Sequence, residues 1–214
     1  MKRRTFAGAL AGFITTAWST PDAPPAKRTV LVLGDSLAAG YGLDPAQAFP
    51  ALLQRRADAA GLAFEVINAG VSGDTTAGGL RRLDWLLRRE IHVLLIELGG
   101  NDGLRGIQPA TTRANLEKMI EKAKGKYPKI RIVLAGMQMP PNMGDAFTEA
   151  FRVIYPELAA KHRVDLVPFL LEGVGGVPEL NQPDRIHPTA EGQEILAGNI
   201  WKVLEGVLRK DSQI

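Results

Sequence analysis

Ser36 stands in Gly34-Asp35-Ser36-Leu37, directly after a short apolar run, where a hydroxyl can face a cleft at the start of the next helix. A serine hydroxyl attacks a carbonyl carbon only when a neighbouring base takes its proton. The chain has three histidines. His92 opens an apolar run, His162 ends a helical pattern beside Lys161 and Arg163, and His187 lies in Asp184-Arg185-Ile186-His187-Pro188. Asp184 precedes His187 by one helical turn's worth of chain, so one loop can supply both a base and the carboxylate that orients it. Each residue also has an ordinary reading. Ser36 can cap a helix, and a Gly-x-Ser turn can bind phosphate. Asp184 can be a turn residue, and His187 a packing residue ahead of Pro188. In combination they point to acyl transfer by a serine. Position 38 is Ala, so the Gly-x-Ser-x-Gly elbow of the α/β-hydrolases is not present.

Hydrolysis of an ester or thioester passes through a tetrahedral oxyanion that needs positioned donors. The Ser36 backbone N–H is one. Asn68-Ala69-Gly70-Val71-Ser72-Gly73-Asp74-Thr75 offers glycines that let backbone approach closely, and Gly99-Gly100-Asn101-Asp102-Gly103 offers the Asn101 side-chain amide. Ordinary turns use the same residue types. Met137 and Met139, in a stretch that ends at Met143, either line a pocket for a flexible acyl or aryl group or fill gaps beneath a loop. Leu37 and Leu104 are the other expected apolar contacts to substrate. Leu104 lies in the glycine-flanked 103–107 segment, which is able to move over a bound molecule, and 174–177 is a further candidate wall. No metal-ligand spacing or nucleotide fingerprint occurs, so the expectation is catalysis without metal or cofactor.

Elements that bring such distant residues together must alternate regularly, and they do. Near-continuous apolar runs at 29–33, 64–68, 92–98, 130–136 and 165–167 read as strands covered on both faces. Helical patterns fall between and after them, at 46–60, 77–90, 111–124, 145–161 and 189–208. Leu80, Leu83, Leu86 and Leu87 form the stripe of a helix lying on a sheet. Strict alternation predicts parallel βαβ units in one three-layer α/β/α domain spanning 29–210. Ligands in such sheets sit beyond the carboxyl ends of the strands. The loops at 34–42, 69–79 and 99–106, together with 181–188, meet at that edge.

The 214 residues suffice for one core without staples, and the absence of Cys excludes disulfides, thiolate metal sites and a cysteine nucleophile. Lys and Arg number 26 against 23 acids. Lys2, Arg3 and Arg4 account for that excess, so the charge gives no case for a nucleic-acid partner. These basic residues precede a weakly apolar run from Phe6 to Trp18, the pattern of an export signal over 1–19 with cleavage after Ala17 or Ser19. The run is short of the ~20 apolar residues of a spanning helix. Arg3-Arg4-Thr5-Phe6 is similar to a twin-arginine signal, with Lys2 where Ser or Thr is usual. A proline-rich spacer over 20–28 follows. A periplasmic or secreted enzyme is expected.

Four blocks carry a family resemblance: GDSLAAGYG at 34–42, NAGVSGDTTAGGL at 68–80, ELGGNDGLRG at 97–106 and DRIHPTAEG at 184–192. In this order and spacing the chain resembles the SGNH, or GDSL, hydrolase superfamily, and within it the bacterial multifunctional thioesterase–protease–lysophospholipase and arylesterase group. The resemblance implies a flavodoxin-like sheet of five parallel strands. It also implies Ser36 as nucleophile, Asp184 and His187 as its triad partners, and an oxyanion hole of Ser36, Gly73 and Asn101. Gly70 is the neighbouring alternative to Gly73, whose Ser-Gly-Asp context fits better. The expected substrate is a small-molecule acyl or aryl ester, thioester or lysophospholipid. The alternatives are a polysaccharide deacetylase, which the 6% aromatic content disfavours for lack of sugar-stacking rings, and a noncatalytic envelope domain, which the intact triad disfavours.

Overall fold

The computed structural model describes residues 27–212. The expected export signal, and all but the last two residues of the spacer, therefore lie outside the described residues.

Five strands form one parallel sheet in the order β2-β1-β3-β4-β5: β1 (Arg28–Gly34), β2 (Phe64–Gly70), β3 (Val93–Glu97), β4 (Arg131–Ala135) and β5 (Asp165–Val167). The three-layer α/β/α architecture and the five-stranded flavodoxin-like order match the sequence expectation. Val30–Leu33 and Val93–Ile96 are fully buried. That is the fate of β-branched and leucine runs with helices on both faces. Two short helices follow strands directly: α1 (Ser36–Ala39) after β1 and α4 (Gly100–Leu104) after β3. The longer ones are α2 (Phe49–Ala59), α3 (Thr76–Leu86), α5 (Pro109–Lys126), α6 (Asp145–Arg152), α7 (Ile154–His162) and α8 (Ala190–Asp211). α2 packs with α8 on one side of the sheet, while α3, α5 and α7 pack in series on the other. The leucine stripe of α3 behaves as expected, with Leu83 and Leu87 buried and Leu80 and Leu86 partly so.

Two helices differ from the sequence reading, each at a proline. The single helix expected over 145–161 is two, broken at Val153. Pro156 lacks an N–H and its ring would meet the Arg152 carbonyl four residues back, so the helix restarts with Pro156 in its first turn. Pro50 acts likewise. The helix expected from position 46 begins at Phe49, after a separate 3₁₀ turn at Pro45–Gln47.

The strand order places a switch point between β1 and β3, where successive connections leave in opposite directions. A crevice opens there at the carboxyl ends. Ser36 follows β1 and Asn101 follows β3, one on each side of it.

Candidate active site

Gly34 ends β1, and the chain turns at once into α1. A Cβ at Gly34 would collide with the Ala38 methyl and with Glu97 Oε2, so only glycine allows the turn to pack this closely on β3. Asp35 caps the helix by accepting the Leu37 N–H through Oδ1 at 3.0 Å. Ser36 is thereby fixed at the first helical position, with 8% of its surface exposed.

His187 arrives from the opposite end of the chain. Its loop is closed by an antiparallel bridge between Asn181 and Pro188 and by Gln182 N–H donating to the His187 carbonyl at 2.7 Å. Arg185 takes a left-handed φ of 58°, which folds the loop back so that Asp184 faces His187. Asp184 Oδ1 accepts the backbone N–H groups of Ile186 and His187, and Oδ2 lies 2.6 Å from His187 Nδ1. The His187 N–H, the imidazole and the Ile186 N–H hold the Asp184 carboxyl down at about 2. An ionised carboxylate can only accept. It therefore fixes the imidazole proton on Nδ1 and turns the Nε2 lone pair outward. Nε2 lies 3.0 Å from Ser36 Oγ. The structure thus brings Ser36, His187 and Asp184 into one hydrogen-bonded chain. His92 and His162 are engaged elsewhere: His92 Nδ1 accepts the Thr29 N–H, and His162 Nε2 meets Glu117.

The expected oxyanion donors lie on segments tied to the nucleophile turn. Asn101 Nδ2 donates to Asp35 Oδ2 at 3.0 Å, which ties its amide to the residue preceding the nucleophile and leaves one further amide hydrogen. Gly73 has a φ of +79°, a conformation that favours glycine, and its carbonyl accepts from Arg105 at 2.9 Å. The loop carrying it is anchored to the nucleophile strand by Val71 N–H donating to the Gly34 carbonyl. Among the described residues, no acceptor takes the Ser36 or the Gly73 backbone N–H.

The proposed substrate contacts divide. Leu104 is 48% exposed. Leu37, Met137 and Met139 belong to the core, and Met139 fills the space beneath Gly103 that a side chain there would need. The two methionines are thus gap fillers in this structure, the second of the two roles open to them.

Several residues that shape the site carry no signal by type alone. Gln182 Nε2 donates to the carbonyls of Tyr41 and Pro188, lashing the histidine loop to the nucleophile loop. Buried Gln193 on α8 accepts from Phe49 and donates to Leu37. The Tyr41 ring lies 4.4 Å from the His187 ring. Glu97, at the end of β3, accepts the Asp35 N–H. Tyr41, which the sequence reading passed over, could have been found as the sole aromatic in the GDSLAAGYG block. A groove of about 580 Å³ between β2 and α3 is lined by Gly70, the alternative to Gly73, but by none of Ser36, Gly73, Asn101, Asp184 and His187. The cluster of Glu117, Glu121 and His162 has ligand-like spacing, but Glu117 is already paired with Lys161 and His162.

The chain's relatives have the same architecture. The model of the GDSL-like Lipase/Acylhydrolase family matches residues 32–195. Esterase TesA of Pseudomonas aeruginosa is 48% identical over 184 residues, covering 86% of this chain and 90% of that protein. Thioesterase 1/protease 1/lysophospholipase L1 of Escherichia coli is 40% identical over 188 residues, covering 87% and 88%. A crystal structure of TesA superposes with a TM-score of 0.78 at 48% identity, over 82% of this chain and 97% of that one. With most of each chain aligned at this identity, and all four motif blocks inside the matched span, the protein belongs to the GDSL/SGNH lipase–acylhydrolase family and is a carboxylic ester hydrolase.

Proposed function

We propose that the protein is an exported serine esterase that cleaves short-to-medium acyl or aryl esters, thioesters or lysophospholipids through an acyl-enzyme. The observation that carries this reading is the Asp184–His187–Ser36 chain, 2.6 Å and then 3.0 Å, with the carboxylate end held ionised. Ser36 Oγ attacks the ester carbonyl carbon as its proton passes to His187 Nε2. Asp184 stabilises the imidazolium that forms. The developing oxyanion takes hydrogen bonds from the Ser36 and Gly73 N–H groups and from the Asn101 amide. Collapse breaks the bond to the alcohol or thiol, which leaves with the proton held by His187. Water then repeats the sequence on the acyl-serine, and Ser36 regains its proton as the acid departs.

The rim supports an acyl or aryl substrate. Tyr41, Leu104 and Ile186 are each about half exposed at or beside the catalytic loops, apolar surface that a soluble protein leaves uncovered where something binds. Export rests on the leader, and acyl-CoA, a large cytosolic thioester, is then a poor natural substrate. The test is a p-nitrophenyl ester series of increasing chain length on the native enzyme and Ser36→Ala, together with mass spectrometry after phosphonate treatment. The native enzyme should turn over and carry the phosphonate on Ser36, while Ser36→Ala should stay folded without turnover. Label on another residue, or turnover by Ser36→Ala, would refute the assignment.

A further inference from the structure

The catalytic scheme leaves one buried acid at the site without a role. Glu97 closes β3 with 1% of its surface exposed, paired in register with Gly34 beneath the nucleophile turn. Its Oε2 accepts the Asp35 N–H at 3.2 Å. Asp35 Oδ1 takes the Leu37 N–H. The two carboxyl groups therefore engage the backbone donors on either side of Ser36, whose own N–H has no acceptor among the described residues. We infer that Glu97 is a positioning residue that clamps the nucleophile turn from the neighbouring strand, so that the Ser36 N–H stays directed at the substrate oxygen. The inference rests on the serine-esterase reading above.

The clamp works as a neutral group. Burial and the adjacent Asp35 carboxyl push Glu97 well above the usual carboxylate range. The other charged or titratable groups nearby are Asp74 after β2 with Arg82 paired to it, Asp102 on α4, Tyr155 on α7 and His187. A protonated Glu97 accepts the Asp35 N–H through its carbonyl oxygen and leaves Asp35 as the ionised member, which holds Leu37 and Asn101. Oε1, which has no partner among the described residues, then carries the proton. Glutamine reproduces this arrangement atom for atom. Aspartate keeps the acid but falls one methylene short, and methionine keeps the volume but offers no comparable acceptor.

The experiment measures kcat, KM and pH profiles on p-nitrophenyl butyrate for Glu97→Gln, Glu97→Asp and Glu97→Met, with competent sites counted by phosphonate titration. Glu97→Gln should stay within about threefold of native kcat and keep the native acid limb, and Glu97→Asp and Glu97→Met should lose about tenfold or more in kcat per site with KM within about twofold. Native kcat per site in Glu97→Asp would overturn the inference, as would a loss in Glu97→Gln as large as in Glu97→Asp. An acid limb in Glu97→Gln displaced by about one pH unit would overturn the neutral clamp. Should Glu97→Met fail to fold, Glu97→Asp decides. Ser36→Ala, run alongside, separates the two layers. Its activity would bring down the esterase reading, whereas an inactive Ser36→Ala beside a fully active Glu97→Asp would bring down only the clamp.

Discussion

In the proposed mechanism His187 acts as a base only in one tautomer, and Asp184 selects it. Replacing Asp184 by Asn leaves an acceptor for the Ile186 and His187 N–H groups but can present an NH₂ to Nδ1. The imidazole then puts its proton on Nε2, facing Ser36 Oγ, and the base is lost. Asp184→Asn should lower kcat by about 10³–10⁴ with little change in KM, and a loss under about tenfold would show that the carboxylate does not set the tautomer. Asn101→Ala removes an oxyanion donor, and kcat on the same ester should fall by about 10²–10³. A rise in KM at unchanged kcat would place Asn101 in ground-state binding instead. That Ser36, Asp184 and His187 come together was legible in the sequence because hydroxyl, carboxylate and imidazole are rare in combination and carry chemistry by type. Glu97, Gln182 and Gln193 were not, because an acid or amide becomes a clamp only through neighbours 62 to 156 residues away.

At the scale of elements, alternating apolar and amphipathic segments were sufficient to read all five strands and the parallel sheet, since burial on both faces removes polar residues from the strands. Of the two short helices that carry Ser36 and Asn101, α1 was expected only as a helix start at Ser36 and α4 escaped, because four or five residues are too few to show a period. The helix breaks at Pro50 and Pro156 were available in the sequence as proline rules that the apolar pattern overrode. β2, at the sheet edge, shows a further device. Gln54 on α2 accepts the Val66 N–H at 2.7 Å and donates to the Phe64 carbonyl at 3.0 Å, standing in for a sixth strand. Unpaired edge groups otherwise invite another chain. Gln54→Leu should therefore cost about 1–2 kcal/mol through the two partly buried groups it strands. That corresponds to a Tm lower by about 2–8 °C, with kcat unchanged because α2 and β2 hold the site only at a distance. Native Tm would show that water replaces the glutamine without loss.

Over the whole molecule, the switch point is held together by charge as well as by strand order. Arg82 on α3 donates to the carbonyls of Gly34 and Ala69 and pairs with Asp74 at 2.7 Å, joining the loops after β1 and β2 into one floor. That floor buries acids, and burial has an opposite effect on stability and on activity. Desolvation raises Asp35 to about 6, against the Leu37 N–H, the Asn101 amide and His187, which all pull it down. An acid raised by folding binds its proton more tightly in the folded chain, so its contribution is full below the ordinary aspartate range and is lost as pH rises through about 6. Burial also raises Glu97 and Asp211, which add in the same direction. Asp184 runs the other way, but its contribution is lost only as pH falls through about 2, so it is flat across the neutral range. From pH 5 to pH 8 Asp35 alone should remove about 1 kcal/mol of stability. Tm should fall by about 2–4 °C as a result. Over the same span turnover should rise, because proton abstraction from Ser36 needs a neutral imidazole and the Asn101 amide is best held by an ionised Asp35. Thermal unfolding and kcat/KM measured at matched pH values from 5 to 8 should therefore trend in opposite directions, with Asp35→Asn making the Tm slope shallower while lowering activity at every pH. A native Tm that climbs with pH across this range would mean that the carboxyl beside the nucleophile is solvated in the folded protein, and that the pH dependence of stability is set by groups outside the site.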